Sequence, residues 1–307
     1  MNKLTKLEIE QLNQNIVNGP SAFAAAEICI EDFINLDDFP IHDLSSPRRA
    51  ELVAHCRADL ELVGCSHVPS FIKDSAIKEM GAEAHRLMSQ SRPADDRINP
   101  YLTAEDTSLD EDHPKRFYQT RTSSFINSDL LEAQSMLRKI YDSDVVVHFV
   151  SDCLNVGAIY RWADPLGRNP YSVMHDGDYF PWHFDGNDFT VSILVEEADQ
   201  GGDFEYCPNI RSPEAENFDD VQKVLHGNRE RIKVLSLKTG DFQLFKGRYS
   251  MHRVTPTKGP NPRIIALPTY VTNPYLVNRP HHAKGFYGRH LPIHEEREMQ
   301  RIDKLTD

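Results

Sequence analysis

The sequence lacks any run of apolar residues long enough to cross a bilayer, which takes about 18 or more in succession. Its first residues, MNKLTKLEIEQLNQNIVNG, have neither an uninterrupted apolar core nor a small-residue cleavage site. A secretory signal peptide needs both of these features. We therefore expect a cytoplasmic protein with no membrane partner.

Paired cysteines are missing as well. The five cysteines are odd in number and form no CxxC motif: Cys29, Cys56, Cys65, Cys153 and Cys207. A disulfide framework would need an even set in an oxidising compartment, and a structural zinc site would usually need closely spaced thiolates. The cysteines are therefore predicted to be reduced thiols.

Positive charge is in short supply, since 34 basic residues stand against 47 acidic ones and the formal net charge is -13. An acidic surface repels nucleic-acid phosphates and anionic lipid headgroups. Nucleic acid is therefore not an expected partner. The charge does not indicate which ligand the protein binds.

The remaining composition is that of a globular chain, with 39% hydrophobic and 26% charged residues among 307, so one large domain suffices. The predicted parts are an N-terminal extension over 1–45, a main domain over 46–275 and a C-terminal extension over 276–307. The C-terminal part is polar and rich in histidine. Three roles stay open for it: a tail, a lid, or a contact within a homo-oligomer.

Helical patterns dominate the first half of the chain. Ser46 followed by Pro47 predicts the start of a helix, and Ile77, Met80 and Ala84 recur at helical spacing. The predicted helices cover 5–17, 49–60, 73–89 and 128–141, with a strand at 62–68 and an exposed loop at 91–115.

Short apolar runs separated by turn signals, such as Asp176-Gly177 and Gly201-Gly202, recur from residue 145 onward. Evenly spaced short strands of this kind predict a β-sandwich or jelly roll. The predicted fold class is therefore mainly β with flanking helices (α+β), with a β core over about 145–275 and helices before it.

The segment that contains His183, Phe184 and Asp185 holds the closest group of candidate metal-binding side chains. On a strand, residues two apart point to the same face, so the imidazole and the carboxylate project together while Phe184 points away. The predicted third ligand is His252, which follows a later strand. Two histidines and one carboxylate on one face of an ion leave open positions for a bidentate co-substrate and O2, as in non-haem Fe(II) oxygenases.

A cation is then needed for the far carboxylate of such a co-substrate, and a guanidinium binds a carboxylate best. Arg263 opens a predicted strand one turn beyond His252. A hairpin of that length brings Arg263 beside the metal face, and Thr255 or Thr257 is a candidate hydroxyl donor. An HxD motif alone is weak, but this combination with His252 and Arg263 is specific.

At these residues the sequence resembles the Fe(II)/2-oxoglutarate-dependent oxygenase superfamily. The motifs that carry the resemblance are HFD at 183–185, GGDFEY at 201–206 and GDFQLF at 240–245, followed by His252 and Arg263. The resemblance implies a double-stranded β-helix, a cupin-like jelly roll, with flanking N-terminal helices. It also implies Fe(II), 2-oxoglutarate and O2 as cofactors and co-substrates, with release of succinate and CO2 during hydroxylation.

Within the superfamily, the run at 182–211 resembles the group that contains free-amino-acid halogenases and their hydroxylase relatives. Members that chlorinate carry glycine or alanine where this chain has Asp185, which opens a metal position for halide. Because the carboxylate of Asp185 fills that position, the resemblance implies a hydroxylase or a desaturase. A free amino acid is the predicted substrate.

Four further residues are candidates for contact with the substrate. By resemblance to an arginine placed similarly upstream of the motif in that group, Arg121 is expected to bind the substrate carboxylate; a solvated arginine is the alternative. Asp164 or Asp188 is a candidate for a substrate amine, although a structural role is the preferred interpretation of each. Trp182 is expected to line the pocket.

Two other functions compete with hydroxylation of a small metabolite. One is an oxygenase that acts on a protein side chain or a carrier-tethered substrate, which would need an open groove. The other is a non-catalytic cupin-like metal-binding module. The complete set of His183, Asp185, His252 and Arg263 argues against the second, because loss of one ligand is the simplest way to retire such an enzyme.

Overall fold

A computed structural model of the protein describes residues 28–94 and 96–300. The helix predicted at 5–17 lies outside these residues. Short 3-10 helices occur at Ile30–Asp32, Met88–Gln90, Pro114–Arg116 and Ser128–Leu130. The α-helices are α1 (Pro47–Val63), α2 (Asp74–Leu87), α3 (Met136–Asp142), α4 (Asp144–Leu154), α5 (Phe218–Leu225), α6 (Pro280–Tyr287) and α7 (Pro292–Gln300).

The strands form two principal sheets. In chain order they are β1 (Cys65–Val68), β2 (Asp96–Ile98), β3 (Gln119–Arg121), β4 (Ser124–Ile126), β5 (Tyr160–Arg161), β6 (Tyr171–Met174), β7 (Phe180–His183), β8 (Thr190–Glu196), β9 (Gln200–Gly201), β10 (Phe204–Cys207), β11 (Lys233–Leu235), β12 (Phe242–Phe245), β13 (Met251–Val254), β14 (Thr257–Lys258), β15 (Arg263–Ala266) and β16 (Tyr270–Val271). The larger sheet has the order β1-β12-β8-β15-β6-β4, and the smaller has the order β11-β10-β13-β7.

The two sheets face each other across an interior that holds the candidate site. Every strand pair in both sheets is antiparallel. The rings of Phe204 in β10 and Phe245 in β12 meet across the gap, with centroids 4.9 Å apart. This arrangement is the predicted double-stranded β-helix, so the predicted fold class, mainly β with flanking helices, is confirmed.

The outer face of the larger sheet is covered by helices α1 to α4. In β8, Val191, Ile193 and Val195 belong to the hydrophobic cluster that also contains residues of these helices. Thr190 and Ser192 alternate with them and line the cavity between the sheets instead. Because side chains alternate along the strand, one face of β8 packs against the apolar helical layer and the other face lines the polar cavity.

Helix α1 begins at the predicted start, Pro47, and ends three residues beyond the predicted range of 49–60. The Ser46 side chain accepts a hydrogen bond from the backbone N–H of Arg49, and Pro47 occupies the first turn. The helix continues through Val63, within the segment predicted as a strand, and Gly64 ends it with a φ of 68°. Of the strand predicted at 62–68, only Cys65–Val68 pairs in the larger sheet.

Two other local predictions need correction. The sequence predicts strands from residue 145 onward, but 145–154 lie in α4, whose Val146, Val147 and Val150 are buried in the helical layer. The β-branched run suits a strand locally, and burial against α1 overrides that weak preference. The helix predicted at 128–141 is interrupted, and its regular part starts at Met136 behind the cap formed by Ser135.

The loop predicted as exposed at 91–115 is partly internal. Asn99 is fully buried and its amide donates hydrogen bonds to the backbone oxygens of Thr103 and Lys115. Tyr101 is also buried, against Phe184. These contacts fold the loop onto the open end of the two sheets, where it can reach a bound molecule.

The C-terminal extension is docked on the core rather than forming a loose tail over the part that the structure describes. His294 of α7 and Asp164 are both fully buried, and His294 Nε2 lies 3.0 Å from an Asp164 carboxylate oxygen. The same carboxylate accepts hydrogen bonds from three backbone amides, those of Leu166, Gly167 and Asn278. These donors lower the pKa of Asp164 against the opposing effect of burial.

Replacing His294 by alanine should therefore destabilise the protein by about 1.5–3 kcal/mol, because it removes a charged hydrogen bond from a buried carboxylate. The free energy of unfolding can be measured by chemical denaturation. His290→Ala is the matched control, since the pair that it forms with Glu295 is exposed and should contribute less than about 1 kcal/mol. Equal losses for the two variants would contradict the structural role of His294.

None of the helices in the part of the chain that the structure describes combines the length and the apolar character that crossing a bilayer requires.

Candidate metal and co-substrate site

Two strands of the smaller sheet bring the two candidate histidine ligands together. In the pairing of β7 with β13, His183 lies directly opposite His252, and their ring centroids are 4.0 Å apart. Asp185 follows β7, and its backbone N–H donates to the carbonyl of Gly247 at 3.1 Å. Thus the three residues that the sequence predicts as metal ligands meet at one point of the interior.

The geometry of this cluster suits one metal ion. One ligand atom from each of His183, Asp185 and His252 lies within 4.8 Å of the other two. Asp185 Oδ1 is 3.7 Å from His183 Nε2 and 3.4 Å from His252 Nε2. The donor set of two imidazoles and one carboxylate is that of non-haem iron sites.

Hydrogen bonds to backbone carbonyls fix the tautomer of both rings. His183 Nδ1 lies 2.8 Å from the Pro181 carbonyl oxygen, and His252 Nδ1 lies 3.0 Å from that of Ser250. A carbonyl only accepts, so each Nδ1 carries the proton and donates. Each Nε2 is left with a lone pair directed at the common point, as in metal sites whose ligands are oriented by a second hydrogen bond.

The charge states of His183 and Asp185 are those that a divalent cation requires. Burial, with a smaller effect from the neighbouring His252, lowers the pKa of His183 to about 3, so this ring is neutral at physiological pH. Burial opposes ionisation of Asp185, but the adjacent His252 and the hydroxyl of Thr190 hold its pKa well below the usual range. Thr190 Oγ1 donates to Asp185 Oδ2 at 2.7 Å, which leaves Oδ1 toward the imidazoles.

Arg263 lies in the wall of the same cavity. It begins β15 in the larger sheet and is only 4% exposed. Burial lowers the pKa of Arg263 to about 10, so the guanidinium remains charged at neutral pH. Gly202 leaves room for its stem, since a Cβ at that position would lie 2.7 Å from Arg263 Cδ.

The cavity between the sheets has a volume of about 700 Å3 and is lined by the three candidate ligands and by Arg263. Ser172, Ser192 and Gln243 of the larger sheet also line it. The sequence analysis missed these three, although each is a small or medium polar residue at an alternating position of an apolar strand. That alternation was the available signal.

Thr255, the predicted hydroxyl donor, does not line this cavity. Its hydroxyl accepts a hydrogen bond from the backbone N–H of Asp203 at 2.9 Å, and its own N–H donates to the Asp203 carbonyl. The alternative, Thr257, donates to the carbonyl of His175. Both hydroxyls therefore form hydrogen bonds with backbone groups of neighbouring segments.

Three of the predicted substrate residues lie elsewhere than in the cavity wall. Trp182 packs in a separate apolar cluster with Arg253 over its ring, because the residue next to His183 points to the opposite face of β7. The side chain of Asp188 is 52% exposed and lies 3.7 Å from Arg248. Asp164 is enclosed by His294 and backbone amides. The structure does not bring these three to the site.

Arg121, the predicted carboxylate clamp, is buried just behind the cavity wall. Its guanidinium donates to Asp96 at 3.0 Å and lies 4.3 Å from the ring centroid of Phe286. Phe125 and Phe180 flank it at 5.6 Å. Two of its nitrogens, Nε and Nη1, have no hydrogen-bond partner among the described residues. The three phenylalanines line the cavity and Arg121 does not.

Further lining residues that the sequence analysis missed come from the loop after β2 and from the C-terminal extension. Tyr101, Leu102 and Lys115 belong to the loop, and His282 and Phe286 belong to α6. The described part of the C-terminal extension therefore contributes to the wall of the cavity. Nothing in the local sequence of these segments identifies them as lining, since tertiary packing alone brings them there.

Arg211 and Arg248 also line the cavity. The Arg211 guanidinium lies 3.9 Å from the ring centroid of Phe184 and forms an ion pair with Glu216 at 3.2 Å. In all, the lining holds four basic side chains and two carboxylates: Lys115, Arg211, Arg248 and Arg263 against Asp185 and Glu216. The wall is thus cationic in a chain whose overall charge is negative.

Comparison with protein-family models finds a match to the family described as halogenase D, over residues 48–284. The match contains the candidate metal ligands and Arg263. No curated protein matches the chain.

Several solved structures are distantly similar to the chain. An oxidoreductase of the 2OG-Fe(II) oxygenase family from Burkholderia pseudomallei is 14% identical, with 72% of this chain and 91% of that chain covered and a TM-score of 0.48. A prolyl hydroxylase from Trichoplax adhaerens, in complex with a hypoxia inducible factor peptide, is 13% identical, with 71% and 88% covered and a TM-score of 0.47. A Pseudomonas putida prolyl-4-hydroxylase is 14% identical, with 70% and 97% covered and a TM-score of 0.43. Likenesses this distant do not bear on the substrate.

Proposed function

The chain belongs to the halogenase D family and is an Fe(II)- and 2-oxoglutarate-dependent oxygenase, and from this premise we propose that it hydroxylates an unactivated C–H bond of a free amino acid. The predicted superfamily and the predicted cofactors, Fe(II), 2-oxoglutarate and O2, are confirmed. The observation that carries the proposed reaction type is the carboxylate of Asp185 directed at the Nε2 atoms of two imidazoles.

His183, Asp185 and His252 would hold the metal through two Nε2 atoms and Oδ1. When bound, Fe(II) and 2-oxoglutarate would supply the electrons that activate O2, which is the oxidant that breaks the C–H bond. The chain's own contribution is to orient the ligands before the metal arrives. Both Nδ1–H groups are engaged by backbone carbonyls, which turns each Nε2 toward the common point, and the Asp185 carboxylate is ionised.

The presence of a carboxylate at position 185 supports hydroxylation over halogenation. A halide would need a metal position that no protein ligand fills. Asp185 Oδ1 lies within 3.7 Å of both imidazole Nε2 atoms and so fills that position. The family description names halogenation, and this residue is the reason to propose a different outcome for this chain.

Arg263 would bind the distal carboxylate of 2-oxoglutarate. Its guanidinium is charged, buried in the cavity wall and close enough to the metal cluster to share one cavity with it. A fixed guanidinium orients a carboxylate through two parallel hydrogen bonds. Ser172, Ser192 and Gln243 are further polar groups for the same ligand.

Two features support a small substrate that carries a carboxylate. A cavity of about 700 Å3 falls within the roughly 300–1,000 Å3 of small-molecule sites. Its excess of basic lining residues beyond Arg263, namely Lys115, Arg211 and Arg248, favours a substrate that carries a carboxylate. An amino acid meets both conditions, and a protein side chain or a carrier-tethered group meets neither as directly.

The test is anaerobic reconstitution with Fe(II), followed by a panel of basic, acidic and aliphatic amino acids with 2-oxoglutarate and O2. Each amino acid is paired with the amine that lacks its carboxylate. We expect succinate and a product with one added oxygen atom from at least one amino acid, and neither from its paired amine. A product that lacks two hydrogen atoms instead would indicate desaturation.

The competing functions give different results in the same assay. A non-catalytic module would form no succinate with any substrate. An oxygenase of proteins or carrier-tethered groups would form no hydroxylated product from the amino acids of the panel, but would form one from a peptide or carrier probe. Turnover of the amines as readily as the amino acids would contradict the proposed role of the carboxylate.

A further inference from the structure

Gly247 lies directly against the carboxylate of Asp185. An ideal Cβ built on Gly247 would be 1.8 Å from Asp185 Oδ2, 2.5 Å from its Cγ and 3.0 Å from its Cβ. The first two distances lie far inside van der Waals contact. The space that any other side chain would need is therefore the space that the carboxylate occupies.

The backbone itself does not demand glycine at this position. Gly247 is not among the glycines with a positive φ, so its backbone does not lie in the left-handed region that favours glycine. This separates Gly247 from Gly202, whose φ is +71°. The three atoms nearest to a Cβ at position 247 all belong to Asp185, so the neighbouring carboxylate is the reason that the structure offers for the missing side chain.

Neither segment is free to move away from the other. The Asp185 N–H donates to the Gly247 carbonyl at 3.1 Å, and Arg248 Nη1 donates to the Gly186 carbonyl at 2.7 Å. These bonds join the loop after β7 to the loop after β12 on both sides of the contact. A methyl group at position 247 would therefore displace the side chain of Asp185 rather than the backbone.

Displacement of this side chain would cost the geometry of the cluster. Oδ2 is held by the hydroxyl of Thr190 at 2.7 Å, and Oδ1 is thereby turned toward His183 and His252. Rotation away from a methyl at position 247 would break the bond to Thr190 and swing Oδ1 out of line with the two Nε2 atoms.

We propose that Gly247 is a positioning residue of the metal site: its lack of a side chain is what allows Asp185 to serve as the carboxylate ligand. The inference rests on the metal role proposed for Asp185. It implies that carboxylate ligation in this chain is specified by two positions, 185 and 247, and that aspartate at the first is ineffective without glycine at the second.

The experiment measures metal binding without turnover, with Co(II) as a spectroscopic probe, by calorimetry and visible absorption. Gly247→Ala should weaken Co(II) binding by about 10- to 100-fold, the usual effect of losing the group that orients a ligand. In the Asp185→Gly background the same alanine meets no carboxylate and should cause no further loss. Gly186→Ala is the matched control, since a Cβ there meets nothing within 4 Å, and Co(II) binding should be unchanged.

Parental Co(II) affinity in Gly247→Ala would overturn the proposal, as would an equal loss from this alanine in the parent and in the Asp185→Gly background. If Gly247→Ala does not fold, the Asp185→Gly/Gly247→Ala double variant should fold and bind Co(II) as Asp185→Gly does, because the clash is gone; its failure to do so would also overturn the proposal. Failure of the proposed metal site itself has a separate signature, which is unchanged Co(II) affinity in Asp185→Gly alone.

Discussion

Replacing Asp185 by alanine should abolish hydroxylation and sharply weaken iron binding. The variant removes the only carboxylate of the cluster and leaves two imidazoles to hold a divalent cation. It also opens the metal position that the carboxylate fills in the parent. Product formation should be followed by mass, and iron content should be measured after anaerobic reconstitution.

Asp219→Ala is a suitable control, because Asp219 is exposed in the first turn of α5 and is not part of the cavity lining. It should retain parental turnover and iron content. Full hydroxylation by Asp185→Ala would remove Asp185 from the set of ligands. Loss of activity in both variants would point to a general loss of structure instead of a loss of metal.

The convergence of His183, Asp185 and His252 could be predicted from the sequence because it follows from one periodicity and one strand pairing. The period of two along a strand predicts that His183 and Asp185 project together, and they do, although β7 ends at His183 and Asp185 follows it. The pairing of β7 with β13 then places His252 opposite His183. The same rule should have excluded Trp182 from the cavity, since it is adjacent to His183 and must point away.

The features that escaped prediction depend on partners distant in sequence. The run at 145–154 is rich in valine and suits a strand locally, but the helical layer buries it as α4. Asp164 gave no sign that His294 would meet it inside the core. The contact of Gly247 with Asp185 is of the same kind, because only the joined loops bring these residues within reach.

Replacing Arg263 by glutamine should raise the requirement for 2-oxoglutarate far more than the requirement for substrate. Loss of a charged hydrogen bond to a carboxylate costs about 1.5–3 kcal/mol, which corresponds to roughly 10- to 150-fold in the concentration of 2-oxoglutarate needed. Because Arg263 is buried in the wall at 4% exposure, solvent cannot replace its charge. The measurement is succinate formation as 2-oxoglutarate and substrate are varied separately.

Two further variants make the result specific to the guanidinium of Arg263. Arg263→Lys keeps a charge but loses the planar fork, so its dependence on 2-oxoglutarate should lie between those of the parent and Arg263→Gln. Arg229→Gln removes an arginine that pairs with Glu205 and is 47% exposed, and it should leave that dependence unchanged. An unaltered 2-oxoglutarate requirement in Arg263→Gln would mean that another cation holds the co-substrate. The cationic lining offers Lys115, Arg211 and Arg248 as the residues to replace next.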